Sequence, residues 1–236
     1  MKKTIGILGG MGPEATAYMY SLIIKHTLAE KDQDHIRIFI YSNPEIPPRT
    51  EAFLQKGPSP VPFLIEGIRK LKDAGVDFVL MPCVTAHYFL PEVLTQIDVP
   101  FLNLLDESLS WTQKNIPELK KVGLISSTGT QISKLFHDKF GQAGIEVIAP
   151  EGEEQQAVME AIFGAGGIKA GFTAGPSKKL IVIAAEKLIA KGAEAIIAGC
   201  TELPLVFKAE DIFVPLIEPM DILARKSILE AGYKVR

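Results

Sequence analysis

The 236-residue chain suits one large domain or two smaller ones, and its 47% hydrophobic and 22% charged residues supply a buried core and an ordinary surface. A net charge of −3 with no basic block argues against a nucleic-acid partner. No apolar run approaches the roughly 18 residues of a membrane span, and the short opening run Ile5–Gly10 carries glycines where a signal peptide needs leucines. The expectation is a cytoplasmic protein without a membrane partner.

In chain order, Lys3 to Leu8 reads as a buried strand ending in Gly9-Gly10-Met11-Gly12, and Pro13 suits the first turn of a helix to about Leu28. Ile36 to Tyr41 is a second strand. The loop Ser42 to Thr50 is too rich in proline for regular structure and leads to a short helix over Glu51 to Gln55. A helix is predicted for Phe63 to Asp73, a strand for Phe78 to Met81, and a helix for Thr85 to Ile97, broken near Pro91. The same order then repeats. Val122 to Ile125 is a strand, followed by Ser126-Ser127-Thr128-Gly129-Thr130 and a helix to about Phe140. Ile145 to Ile148 is a strand, Glu153 to Phe163 and Ser177 to Ala190 are helices, and Ala195 to Ala198 is a strand. Each half closes with a short strand and a helix, the last being Asp221 to Glu230.

The repetition extends to single residues. An offset of 117 maps Gly6 onto Gly123, Gly12 onto Gly129, Leu71 onto Leu188 and Cys83 onto Cys200. An offset of 115 aligns Ile97-Asp98-Val99-Pro100-Phe101 with Ile212-Phe213-Val214-Pro215-Leu216. Strands apolar on both faces, alternating with helices, indicate parallel sheets covered by helices. The expected fold is therefore α/β with two pseudo-symmetric lobes, and the active site is expected in a cleft at the carboxyl ends of the strands. The lobe boundaries are set near Pro100 and Pro215. Residues 1–99 with 216–236 then form the N-terminal lobe, and residues 100–215 the C-terminal lobe.

Cys83 and Cys200 are the only cysteines; they are too few for a zinc site, and a cytosolic setting disfavours a disulfide. No metal is expected. Both fall where a strand stops and a helix can begin, and a helix start lowers a thiol's pKa and suits it to acid/base work. Two opposed acid/base groups are what inversion of a carbon stereocentre needs. Gly9 to Gly12 lacks dinucleotide-loop spacing, and like Ser127-Thr128-Gly129-Thr130 it offers backbone N–H groups to a carboxylate.

Ile5-Gly6-Ile7-Leu8-Gly9-Gly10-Met11-Gly12-Pro13-Glu14-Ala15-Thr16 resembles the opening of the aspartate/glutamate racemase family. Met81-Pro82-Cys83-Val84-Thr85-Ala86-His87 and Ala198-Gly199-Cys200-Thr201-Glu202-Leu203 resemble its two cysteine motifs. The resemblance runs end to end and is nearest the aspartate racemase branch. It implies an isomerase without cofactor, a homodimer, Cys83 and Cys200 as the acid/base pair, and an acidic amino acid as substrate. It implies substrate contacts from Met11, Arg49, Val84, Thr85, Lys169, Thr201 and Glu202, with Thr128 and Thr130 in the second glycine loop. Arg49 and Lys169 would meet the side-chain carboxylate, Lys169 from a glycine-rich lid.

The family usually has asparagine where this chain has Val84, whose side chain cannot hydrogen-bond. His87, four residues after Cys83, either tunes the thiol or holds structure through hydrogen bonds. Two other readings stay open. One is a related enzyme of the same fold, of the hydantoin racemase or maleate isomerase type. The other is a bilobed amino-acid-binding protein that Val84 has left without turnover.

Overall fold

A computed structural model describes residues 2–236. The chain divides into two compact units, Met1–Glu107 with Met220–Arg236, and Ser108–Pro219.

The first unit is built from β1 (Ile5–Gly9), α1 (Pro13–His26), β2 (Ile38–Ser42), α2 (Arg49–Phe53), α3 (Val61–Asp73), β3 (Phe78–Leu80), α4 (Leu90–Leu94), β4 (Phe101–Leu102) and the start of α5 (Leu104–Asn115). Its sheet is wholly parallel, in the order β2-β1-β3-β4. Every residue of β1 and β3 is buried, the mark of a parallel strand covered on both faces. The second unit repeats the plan with β5 (Lys121–Ile125), α6 (Thr128–Ile132), α7 (Leu135–Gly141), β6 (Glu146–Ile148), α8 (Gly152–Phe163), α9 (Pro176–Ala190), β7 (Ala195–Ala198) and β8 (Leu216–Ile217). The order is β6-β5-β7-β8, again all parallel. The last helix, α10 (Pro219–Glu230), belongs almost entirely to the first unit. The chain end is tied there by Lys3 N–H to the Ala231 carbonyl at 3.0 Å and Leu28 N–H to the Lys234 carbonyl at 2.9 Å.

The paired glycines have a packing reason. A Cβ on Gly123 would lie 2.6 Å from Ile196 Cδ1 and 3.0 Å from Leu188 Cβ, and one on Gly6 would press on Val76 and Val79 at 3.1–3.3 Å. The central strand of each sheet therefore stays small in the same place. Gly10 is required for a different reason. Its φ is +94°, and a Cβ there would fall 2.3 Å from the Asn43 backbone.

Several boundaries differ from the sequence expectation. The division falls after Glu107 and Pro219 rather than at the prolines, because β4 pairs with β3 and β8 with β7 inside their own sheets. Helix α1 stops at His26, where Thr27 turns extended and bridges to Val235. The segment after Cys83 is a 3₁₀ turn, Thr85–Phe89, leading into α4 with Pro91 in its first turn. The helix expected up to Phe140 is two short ones, broken where Lys134 takes φ +54°. Helix α2 starts at Arg49, so that residue leaves the loop and opens a helix.

Candidate active site

In the first unit Cys83 lies just past the end of β3 and is 4% exposed. Its thiol stands 3.9 Å from the Thr85 hydroxyl. Its backbone is held by His87. The Leu104 N–H donates to His87 Nε2 at 3.3 Å, so Nδ1 carries the ring proton and donates to the Cys83 carbonyl at 2.8 Å. Burial lowers the His87 pKa to about 4, outweighing the hydrogen bond to Cys83 that raises it. His87 is therefore a neutral clamp between the Cys83 turn and the start of α5. Of the two roles expected for it, the structural one is what the geometry shows.

Met11 and Cys83 share one apolar cluster with Leu8, Ile46 and Ala86. The loop carrying Met11 is fixed by Thr16, whose hydroxyl accepts from Gly10 N–H and donates to the Gly12 carbonyl, both at 2.9 Å. Arg49 reaches back to this loop. Its Nη2 donates to the Met11 carbonyl at 3.3 Å, and its Nη1 to the carbonyls of Ile46 and Pro47 at 3.1 Å. Arg49 Nε is buried and without a hydrogen-bond partner among the described residues. Val84 is 4% exposed and caps the 3₁₀ turn.

In the second unit Cys200 lies just past β7 and is 8% exposed. Its Sγ donates to Glu202 Oε2 at 3.1 Å, and the Thr201 hydroxyl donates to the same oxygen at 3.1 Å. Lys169 Nζ pairs with the other oxygen, Glu202 Oε1. Glu202 is 2% exposed, so these partners are what keep its charge tolerable in the interior. Burial pushes the Cys200 thiol well above its ordinary range and the Glu202 carboxylate adds to this, while the Lys169 ammonium opposes it. The sequence expectation of a thiol made acidic by an adjoining helix start is corrected here. Cys200 leads into a turn and the three-residue 3₁₀ segment Leu203–Leu205 instead of an α-helix, and a carboxylate faces the sulfur.

Lys169, read as a lid residue, sits in the 3₁₀ turn Ile168–Ala170. Ile168 is fully buried beneath it, and the Ser177 hydroxyl donates to the Gly166 carbonyl at 3.0 Å. Thr128 and Thr130 form a separate group at the start of α6. The Thr130 hydroxyl is 3.3 Å from that of Ser127, and Gln155 Nε2 donates to the Thr128 hydroxyl at 3.2 Å and to the Ser126 carbonyl at 3.1 Å. Gln155 and Thr16 were not singled out from sequence. Gln155 had a signal, a polar residue on the buried stripe of α8 that carries Val158, Ala161 and Ile162.

The structure thus links the expected residues into three groups: Met11 with Arg49; Thr128 with Thr130 through Ser127 and Gln155; and Lys169, Cys200, Thr201 and Glu202. Cys83, Val84 and Thr85 form the turn clamped by His87. Among the described residues no group of three or more histidines, cysteines and carboxylates could hold a metal ion, and no helix is long and apolar enough to cross a membrane.

A duplicated parallel α/β chain with a buried thiol at the same strand end of each half points to one class of protein. The chain belongs to the Asp/Glu/hydantoin racemase family, whose model matches residues 8–227. It is 28% identical over 232 residues to the broad specificity amino-acid racemase RacX of Bacillus subtilis (strain 168), covering 95% of this chain and 96% of that one. Its fold matches the Picrophilus torridus aspartate racemase with a TM-score of 0.88 and 31% identity, over 99% of this chain and 96% of that one. It also matches an aspartate racemase homologue from Pyrococcus horikoshii OT3 with a TM-score of 0.77 and 27% identity, over 98% and 100%.

Proposed function

We propose that the chain racemises an acidic amino acid, aspartate first and glutamate second, by a cofactor-independent two-base mechanism with Cys83 and Cys200 as the acid/base pair. The observation that carries this reading is the buried free thiol that ends the third strand of each duplicated sheet. A racemase needs one base to take the α-proton and one acid to return a proton to the opposite face. A thiol serves in either role according to its protonation. Cys200, kept protonated by burial and by Glu202, is suited to begin as the acid. Preorganised donors in a water-poor site stabilise the carbanion's charge.

Support for an acidic substrate comes from Arg49 and Lys169. Arg49 has a buried Nε–H with no partner among the described residues, a donor that a carboxylate would satisfy. Lys169 keeps its side chain 25% exposed and so remains reachable. Met11, Val84, Thr85, Thr128, Thr130 and Thr201 complete the proposed contacts, with the Val84 N–H in place of the missing amide. A cytoplasmic setting that keeps thiols reduced, and a homodimer, belong to the same proposal. The exposed apolar residues Tyr20 and Ile24 on α1 and Ile40 on the edge strand β2 support a self-association face.

The test is chiral chromatography of L- and D-aspartate and glutamate incubated with wild type, Cys83→Ser and Cys200→Ser. Interconversion by wild type, with a loss of about 10³-fold or more in either variant, is expected. Near-normal turnover in either variant would refute the two-thiol pair.

A further inference from the structure

The group around Cys200 is a chain of two charges and a proton rather than a lone thiol. The Cys200 Sγ–H points at one oxygen of Glu202 at 3.1 Å, and Lys169 occupies the other oxygen. The carboxylate is 2% exposed and the lysine side chain 25% exposed, so the ammonium is the member an incoming anion can reach. Lys169 and the thiol share one carboxylate, so an anion that draws Lys169 away leaves Glu202 to the Cys200 thiol and the Thr201 hydroxyl alone.

We infer that Glu202 is the positioning residue and proton acceptor for Cys200, and that Lys169 couples it to substrate choice: an acidic side chain that engages Lys169 releases Glu202 to take the thiol proton. This rests on the proposed racemase activity and assigns the acidic substrate class an effect on turnover, beyond its effect on binding. In the direction where Cys200 acts as base, the proton leaves Sγ for Glu202 Oε2 as Sγ takes the proton from the substrate α-carbon. The electrons of the broken C–H bond stay on the substrate, spread into its carboxylate. The Cys83 thiol delivers a proton to the opposite face and is reprotonated from solvent. Glu202 returns its proton to solvent when the product leaves and Lys169 pairs with it again. Protons taken and given are equal.

A salt bridge of purely structural purpose would be reached by the same contacts, so the test reads kcat apart from KM. Steady-state kinetics with aspartate and with alanine are measured for wild type, Glu202→Gln, Glu202→Asp and Lys169→Met, with circular dichroism confirming the fold. Wild type is expected to turn over aspartate with a kcat at least about ten-fold above that of alanine. Glu202→Gln is expected to lower kcat for both by about 100-fold with KM little changed, and Glu202→Asp to restore part of it. Lys169→Met, which unlocks Glu202 permanently, is expected to raise the alanine kcat while lowering kcat/KM for aspartate. The inference fails if Glu202→Gln changes KM alone, or if Lys169→Met depresses both substrates alike. Should that variant not fold, equal wild-type kcat values for aspartate and alanine refute the coupling by themselves. A wild type that racemises neither substrate overturns the racemase reading, whereas an active wild type indifferent to Glu202→Gln overturns only the role given to Glu202.

Discussion

Replacing His87 with glutamine separates a hydrogen-bonding clamp from a titrating one. Glutamine can donate to the Cys83 carbonyl and accept from the Leu104 N–H, as the imidazole does, but carries no proton between pH 4 and 7. In the folded protein the His87 pKa is lowered from 6.5 to about 4, so the unfolded chain binds the proton first as pH falls. Stability from this group is therefore present in full above about pH 6.5 and lost progressively down to about pH 4. The shift corresponds to about 3 kcal/mol in all, of which about 2 kcal/mol falls between about pH 7 and pH 5. Urea titrations monitored by the fluorescence of Trp111, the single tryptophan, would measure it. Wild type is expected to lose about 2 kcal/mol more than His87→Gln over that pH range. Equal losses in the two proteins would show that His87 is not a buried neutral clamp.

The other predictions are more local. Gly123→Ala places a methyl 2.6 Å from Ile196 Cδ1 and is expected to cost about 1–3 kcal/mol, read as a lower urea midpoint; an unchanged midpoint would mean the central strand is not close-packed there. Gly10→Ala is expected to be at least as costly, since it adds a left-handed backbone strain to a clash with the Asn43 backbone, and a thermal melt checks it. Val84→Asn is expected to change the ratio of kcat/KM between acidic and neutral amino acids more than it changes stability; identical kinetics across the substrates tested would refute a head-group role for that position.

Much of this was legible in the sequence because it is local or repeated. The offset of 117 residues paired Gly6 with Gly123 and Cys83 with Cys200, and strand periodicity with flanking glycine and proline located the sheets. What escaped is tertiary. The break at Lys134 needs a left-handed residue that no glycine announces. Cys200 is buried and faces the Glu202 carboxylate, and both raise its pKa, so the local rule of a thiol at a helix start gave the wrong sign. Arg49 was expected in a loop, but the carbonyls of Met11, Ile46 and Pro47 hold it at the start of a helix. In these cases burial and the packed surroundings, which local sequence rules do not carry, decided the outcome.

The central claim is inversion at the α-carbon by two thiols, and α-proton exchange in deuterium oxide tests it most directly. L- and D-aspartate and glutamate would be monitored by proton NMR without added cofactor. Deuterium is expected to appear in the inverted enantiomer ahead of the unreacted pool, because the proton taken from one face is not the one returned to the other. No exchange with any of the four, or exchange confined to substrate of unchanged configuration, would contradict the account.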